Sequence, residues 1–295
     1  MMKRLRNPLI FFIALILVAC SNAETQGDIS EGNALDTGTE SVVERVVALS
    51  SLTADLTQQL SPAKLVGIPA SSLLKDDERF TELPQVSRDR TPPNLEQIVA
   101  LQPDLVLGAK GFHDTVAQRL EELGIGTKLV DVDSWSSLSQ ITEDLARRLG
   151  ADPKGLLEQY QSCLAKAPSQ GDSILVLVSR QPILSPNKKS WAGDFIQQFK
   201  AQNLAAEIQG DSPIGGYVTL SAETILQENP DMILIVDPGQ QGILEQFQKD
   251  AFWSQLQASK NNRVYAVDYY GLVNPGSVAK IGEACDHLSE IIGNS

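Results

Sequence analysis

Two acidic residues stand at matched places in a pattern that this chain writes twice. Asn94-Leu-Glu96-Gln-Ile98-Val-Ala-Leu-Gln-Pro103-Asp104-Leu-Val-Leu107 recurs as Ser221-Ala-Glu223-Thr-Ile225-Leu-Gln-Glu-Asn-Pro230-Asp231-Met-Ile-Leu234, with an offset of 127 throughout (223 − 96 = 127). Glu96 and Glu223 fall in a first helical turn, where the macrodipole favours a carboxylate, and this alone is a sufficient reason for an acid there. A basic group, Arg88-Asp89-Arg90-Thr91, precedes the first copy. A guanidinium fork holds carboxylate oxygens two at a time; a solvated pair with Asp89 is the other reading. The chain has two His and three Cys, so a His- or Cys-rich metal cage is not available. It carries no G-x-S-x-G elbow, H-E-x-x-H, Walker loop or G-x-G-x-x-G, and no enzyme is expected. A general base would have to be a carboxylate or one lone imidazole.

The elements that must hold these residues alternate. Residues 45–49 are a β-branched run and read as a strand, 53–60 have helical spacing, and 65–68 read as a second strand. In the first repeat copy Asn94 caps a helix over 95–101, with Gln97 placed for a capping box. Pro103 stops that helix and 105–107 form a buried strand. A helix over 114–123 ends at Gly124, and a strand follows over 128–132. Residues from 134 to about 166 keep helical spacing, with a break near 150–153. The pattern then restarts: strand 173–178, helix 193–199, the second repeat copy capped by Ser221, a short helix over 252–256, strand 263–267 and a closing helix over 278–292. Strands alternating with helices predict parallel α/β sheets. The repeat and the helical middle predict two α/β lobes, 44–133 and 169–295, with a connecting helix over 134–168.

Lys3, Arg4 and Arg6 precede an apolar run of 11 residues, 9–19, too short to span a bilayer comfortably and expected to be a signal peptide. It ends in Leu17-Val18-Ala19-Cys20, which resembles a bacterial lipobox. That resemblance implies removal of residues 1–19 and lipid on the Cys20 sulfur; an ordinary signal peptide with an incidental Cys is the alternative. The formal charge then moves from −13 to −16 (−13 − 3), an acidic balance that argues against nucleic acid as a partner. Residues 20–43 are polar and are expected to form a flexible tether. Cys163 and Cys285 remain in a compartment that permits a disulfide, and the spacing leaves bonded and free both open.

The run from Pro93 to Val106 closely resembles the iron-siderophore and cobalamin-binding proteins of bacterial ABC importers, as do Arg45-Val46-Val47-Ala48-Leu49-Ser50 and Asn262-Arg263-Val264-Tyr265-Ala266-Val267. The resemblance covers about residues 44–292. It implies the class III periplasmic binding protein type: two three-layer α/β lobes joined by a single long helix, with ligand held between them and no cofactor. It further implies that Glu96 and Glu223 sit on the lobe tops and meet arginines of an ABC permease dimer. The protein would be a monomer held by lipid on Cys20 at the periplasmic face of a membrane or the outer cell surface.

The same resemblance implies a cleft lined by loops after the strands and before the repeat helices. Arg90, four residues before the cap Asn94, matches the arginine of hydroxamate-siderophore binders, and Arg88 is its neighbour. Lys110 would offset anionic charge and Phe112 would form a wall; ordinary loop chemistry is the alternative for both. Trp191, Tyr217, Tyr269 and Tyr270 occupy comparable loops and would pack on a large planar or macrocyclic ligand, or else on their own lobe. Haem needs an axial ligand, and the place before the first repeat helix, where haem-binding relatives often carry a Tyr, holds Ser87-Arg88-Asp89-Arg90. His113 is a lone His that reads as a surface residue. Paired arginines suit an anionic ferric complex, so a ferric siderophore is the expected ligand. Cobalamin, haem and a receptor-linked ligand sensor are the alternatives.

Overall fold

The computed structural model describes residues 42–88, 91–168, 171–208, 212, 214–237 and 242–293. The signal peptide, Cys20, nearly all of the tether and Arg90 lie outside the described residues. The described residues form one compact unit.

The N-terminal half builds a four-stranded parallel sheet. Its elements are β1 (Val46–Ala48), α1 (Ser51–Leu60), β2 (Leu65–Gly67), α2 (Leu95–Ala100), β3 (Leu105–Ala109), α3 (Asp114–Glu122) and β4 (Gly126–Val130), with strand order β2-β1-β3-β4. Every residue of β1 is buried, as its Val-Val-Ala sequence requires of a strand covered on both faces. Ser50 and Thr53 close a reciprocal capping box on α1. The last strand starts and ends two residues earlier than its apolar run suggests. It pairs with β3 along the full length from Leu105↔Gly126 to Ala109↔Val130, so the neighbouring strand sets its limits.

The helical stretch over 134–168 is broken where the sequence pattern breaks, near 150–153, and holds two helices. Ser134 caps α4 (Trp135–Leu149), and Gly150, in the left-handed conformation at φ 62°, ends it. The helix α5 (Lys154–Leu164) starts after Pro153. Carbonyls freed at the end of α4 are taken by Val43 N–H on Arg148 and by the Lys64 ammonium on Leu149.

The C-terminal half follows with β5 (Ser173–Leu177), β6 (Ser179–Arg180), β7 (Ile183–Pro186), α6 (Trp191–Gln198), β8 (Gln202–Asn203), β9 (Tyr217–Leu220), α7 (Ala222–Glu228), β10 (Met232–Asp237), α8 (Ile243–Gln248), α9 (Gln257–Lys260), β11 (Val264–Asp268), a kinked turn α10 (Tyr269–Leu272) and α11 (Val278–Gly293). Its parallel sheet has the order β8-β5-β10-β11, the same topology as the first. A small antiparallel sheet, β6-β7-β9, stands beside it and is not among the expected elements. Its strands are two to four residues long, too short for alternation to show. The short helix expected over 252–256 is a 3₁₀ turn, Trp253–Gln255.

The doubled pattern explains the doubled topology. In both copies the cap side chain accepts from the third helical residue, Asn94 from Gln97 N–H and Ser221 from Thr224 N–H. Gln97 does not return the bond of a capping box, because the Asn94 N–H is already given to the Val86 carbonyl at 2.7 Å. Each helix stops on a left-handed residue before its proline, Gln102 at φ 47° and Asn229 at φ 44° (229 − 102 = 127). The aspartate after each proline then ties down a neighbouring strand. Asp104 Oδ2 accepts from Glu44 and Arg45 N–H at 2.9 Å each, and Asp231 Oδ2 accepts from Ser173 N–H and Oγ at 3.2 and 2.6 Å.

One apolar core runs through both halves. It joins Val46 and Leu107 of the first sheet to Ile174 and Leu234 of the second, through Trp135, Leu138 and Leu145 of α4 and Ile281 of α11. Cys163 of α5 and Cys285 of α11 lie in this core and are disulfide-bonded, their Cα atoms 5.6 Å apart. Among the described residues no helix is long and apolar enough to cross a membrane.

Candidate functional site

Helices α2 and α7 present Glu96 and Glu223 in their first turns, both exposed. Neither carboxylate has a hydrogen-bond or ion-pair partner among the described residues. The caps Asn94 and Ser221 each accept one amide of their helix N-terminus, and the two carboxylates stand in solvent.

Ligands of open α/β sheets bind beyond the carboxyl ends of the strands. At that edge of the first sheet, Thr91 Oγ donates to the Arg88 carbonyl at 2.6 Å and accepts the Arg88 N–H, a local turn that leaves the Arg88 side chain exposed. Lys110 follows β3 and pairs with Asp131 at 3.3 Å, so part of its charge is already answered. Phe112 is 87% exposed, a large apolar ring left in the open. His113 is half-buried rather than on the surface. Its Nδ1 accepts the Ala109 N–H at 2.9 Å, and burial lowers its pKa below the ordinary histidine value.

The C-terminal half gathers tyrosines. Tyr217, at the start of β9, is half-buried, and burial pushes its phenol up to about 12, with the nearby Tyr269 hydroxyl adding to the rise. Tyr269 and Tyr270 meet edge to face at 5.3 Å. Tyr270 also lines a hollow of about 210 Å³ with Asp268, Leu272, Glu283 and His287. A more open hollow, about 480 Å³, lies beside Arg180, Ile183, Ala222, Asp250 and Phe252.

Trp191 is a correction. Expected as a ligand wall, it is 3% exposed and packs in the core against Trp135 at 5.1 Å and Phe195 at 5.5 Å. Its indole N–H donates to the Gly271 carbonyl at 2.7 Å, so it supports the turn that carries Tyr269 and Tyr270 instead of facing solvent.

Sequence reasoning missed Asp55. It is a fully buried carboxylate on α1 that accepts from the Val278 N–H at 2.8 Å, from Gln59 Nε2 at 3.0 Å and from Arg79 Nη2 at 3.0 Å. Arg79 also binds Asp77 and lies over the Phe80 ring at 5.1 Å. Asp77 holds the guanidinium pKa above its ordinary value, and Arg79 in turn lowers Asp77. The one available signal is that Ser51-Leu-Thr-Ala-Asp55-Leu-Thr57 has no charged outward stripe, so its single acid falls on a covered helix.

A family model for periplasmic binding proteins matches residues 46–270. The uncharacterized ABC transporter substrate-binding lipoprotein YvrC of Bacillus subtilis (strain 168) is 25% identical, covering 96% of this chain and 95% of its own length. The Fe(3+) dicitrate-binding periplasmic protein FecB of Escherichia coli (strain K12) is 24% identical over 61% of this chain and 60% of its own. The crystal structure of an ABC transporter substrate-binding protein from Listeria monocytogenes EGD-e superposes with a TM-score of 0.71 at 23% identity, covering 85% of this chain and 99% of that one.

Proposed function

Because the chain belongs to the periplasmic binding protein family, we propose that it captures a ferric siderophore or related iron complex between its two lobes and delivers it to an ABC permease. Its architecture is the class III type, α/β with parallel sheets and helices. Members of this family are transport proteins; no bond is made or broken, and the work is recognition and hand-over. The domain reading follows: lobes over 44–133 and 169–295, a helical connector over 134–168, and a tether ending in lipid on Cys20 that keeps the protein at a membrane surface.

The observation that carries the reading is the matched pair of unpartnered glutamates, one in the first turn of each repeat helix. A permease dimer offers two like surfaces, and two like carboxylates answer them. Arg88 and Arg90 are the groups for an anionic ferric complex. Lys110, Phe112, Tyr217, Tyr269 and Tyr270 supply the rest of the cleft wall.

The test is a fluorescence titration of the purified mature protein with ferric citrate, a ferric hydroxamate, haem and cyanocobalamin. Saturable quenching by a ferric complex, weakened in Arg90→Ala, supports the reading. Saturable binding of haem or cyanocobalamin alone transfers it to those ligands. No binding of any of them overturns it.

A further inference from the structure

We infer that Asp55, in the N-terminal half, is a positioning residue for the tyrosine turn of the C-terminal half. This rests on the proposed ligand role of Tyr269 and Tyr270. A carboxylate taken wholly out of water is costly unless its lone pairs are filled. Asp55 fills them from three elements: Gln59 on its own helix, Arg79 on the 3₁₀ turn Glu78–Phe80, and the Val278 N–H that opens α11. The last is a long-range bond, joining residues 223 apart in sequence. Helix α11 leaves its first amides without intrahelical partners, and its dipole favours a negative charge at that end.

The turn between β11 and α11 is thereby held at both ends. At its start, Asp268 Oδ1 accepts the Tyr270 N–H at 2.9 Å and Trp191 Nε1 donates to the Gly271 carbonyl. At its end, Asp55 takes the Val278 N–H. Between them the chain folds back on itself: Gly271 N–H donates to the Asn274 carbonyl at 2.7 Å, and Asn274 Oδ1 accepts the Gly276 N–H at 3.0 Å. Gly276 has φ +60°, and a Cβ there would lie 2.8 Å from Leu73 Cδ1 and 3.0 Å from Tyr270 Cδ1. Leu73 belongs to the same half as Asp55, so that half touches the turn at Gly276 and bonds it at Val278. The ring of Tyr270, and through its edge-to-face contact that of Tyr269, takes its place from a scaffold that Asp55 completes.

The experiment is hydrogen exchange by mass spectrometry across residues 269–280, run beside a ferric citrate titration. In Asp55→Leu, exchange in this segment rises about tenfold or more, the scale of one lost charge-assisted bond, while the α7 segment is unchanged. Asp55→Asn keeps an oxygen for Val278 and recovers most of the protection. Ferric citrate affinity follows the same order, falling about tenfold in Asp55→Leu and returning in Asp55→Asn. Val278→Pro is the second arm should Asp55→Leu fail to fold. It deletes the donated N–H at a first helical position, where proline is tolerated, and leaves Arg79 and Gln59 on Asp55. Faster exchange over 270–276 in Val278→Pro supports the inference. Unchanged exchange in Asp55→Leu or Val278→Pro overturns it, as does an Asp55→Asn protein no better protected than Asp55→Leu. If wild-type protein binds none of ferric citrate, a ferric hydroxamate, haem and cyanocobalamin, the ligand reading falls, and the exchange arm still decides the role of Asp55.

Discussion

Asp231 and Ser173 bond to each other in both directions. Asp231 Oδ2 accepts the Ser173 hydroxyl at 2.6 Å, and the Ser173 Oγ accepts the Asp231 N–H at 3.0 Å. With Asp104 and the Glu44–Arg45 amides in the other half, this makes the aspartate after each proline a clamp on the first strand of its sheet. Asp104→Ala and Asp231→Ala should each lower stability by about 1–2 kcal/mol, the range of charge-assisted bonds near solvent. Urea denaturation measures it. Ligand affinity should not move, and a loss of affinity without a loss of stability would refute the structural role.

Glu96 and Glu223 have the opposite expectation. Their helices are capped by other side chains, so Glu96→Ala with Glu223→Ala should change stability by less than about 1 kcal/mol and leave ferric citrate binding intact. Uptake of radiolabelled iron complex by cells carrying the double variant should be lost. Normal uptake would remove the docking role.

The Cys163–Cys285 bond links α5 to α11 across a sequence separation of 122. Closing so long a loop restricts the unfolded chain, and replacing both cysteines by serine should cost about 3–5 kcal/mol. Thermal denaturation with and without reductant tests this, and equal midpoints for oxidised and reduced protein would contradict it.

Tyr217 and Tyr160 both have phenols raised to about 12, chiefly by burial. The folded state keeps a proton that the unfolded chain releases near pH 10. The stability they contribute is therefore whole below pH 10 and is lost as pH rises toward 12. In a tyrosinate absorbance titration two phenols should ionise near pH 12, and Tyr217→Phe should leave one. A high-pH step that Tyr217→Phe leaves unchanged would remove Tyr217 from it.

Where residues act through their neighbours in sequence, the fold is legible without coordinates. The capped helices and the buried runs of β1, β3 and β10 declare themselves in windows of a few residues, and the repeat points to two like sheets. What is not legible depends on partners far along the chain. Pairing with β3 moves β4 by two residues, and β6, β7 and β9 are too short to show a period. Position alone puts Trp191 on a loop, but Trp135 and Phe195 draw it inward. Asp55 is not singled out by its neighbours, because its Val278 partner lies more than two hundred residues away. The same holds for the disulfide, whose spacing permits a bond without requiring one.

The shared core has an energetic consequence. Val46, Leu107, Ile174 and Leu234 belong to one cluster with α4, α5 and α11, so a wide swing of one sheet against the other would bring buried apolar surface into water. Exposing about 400 Å² would cost about 10 kcal/mol at about 25 cal/mol per Å², comparable to the whole stability of a typical domain, about 5–15 kcal/mol. Thermal motion does not supply that. A cargo held deep between the sheets would therefore leave by small displacements at the rim, or when an outside machine spends chemical energy to force the halves apart.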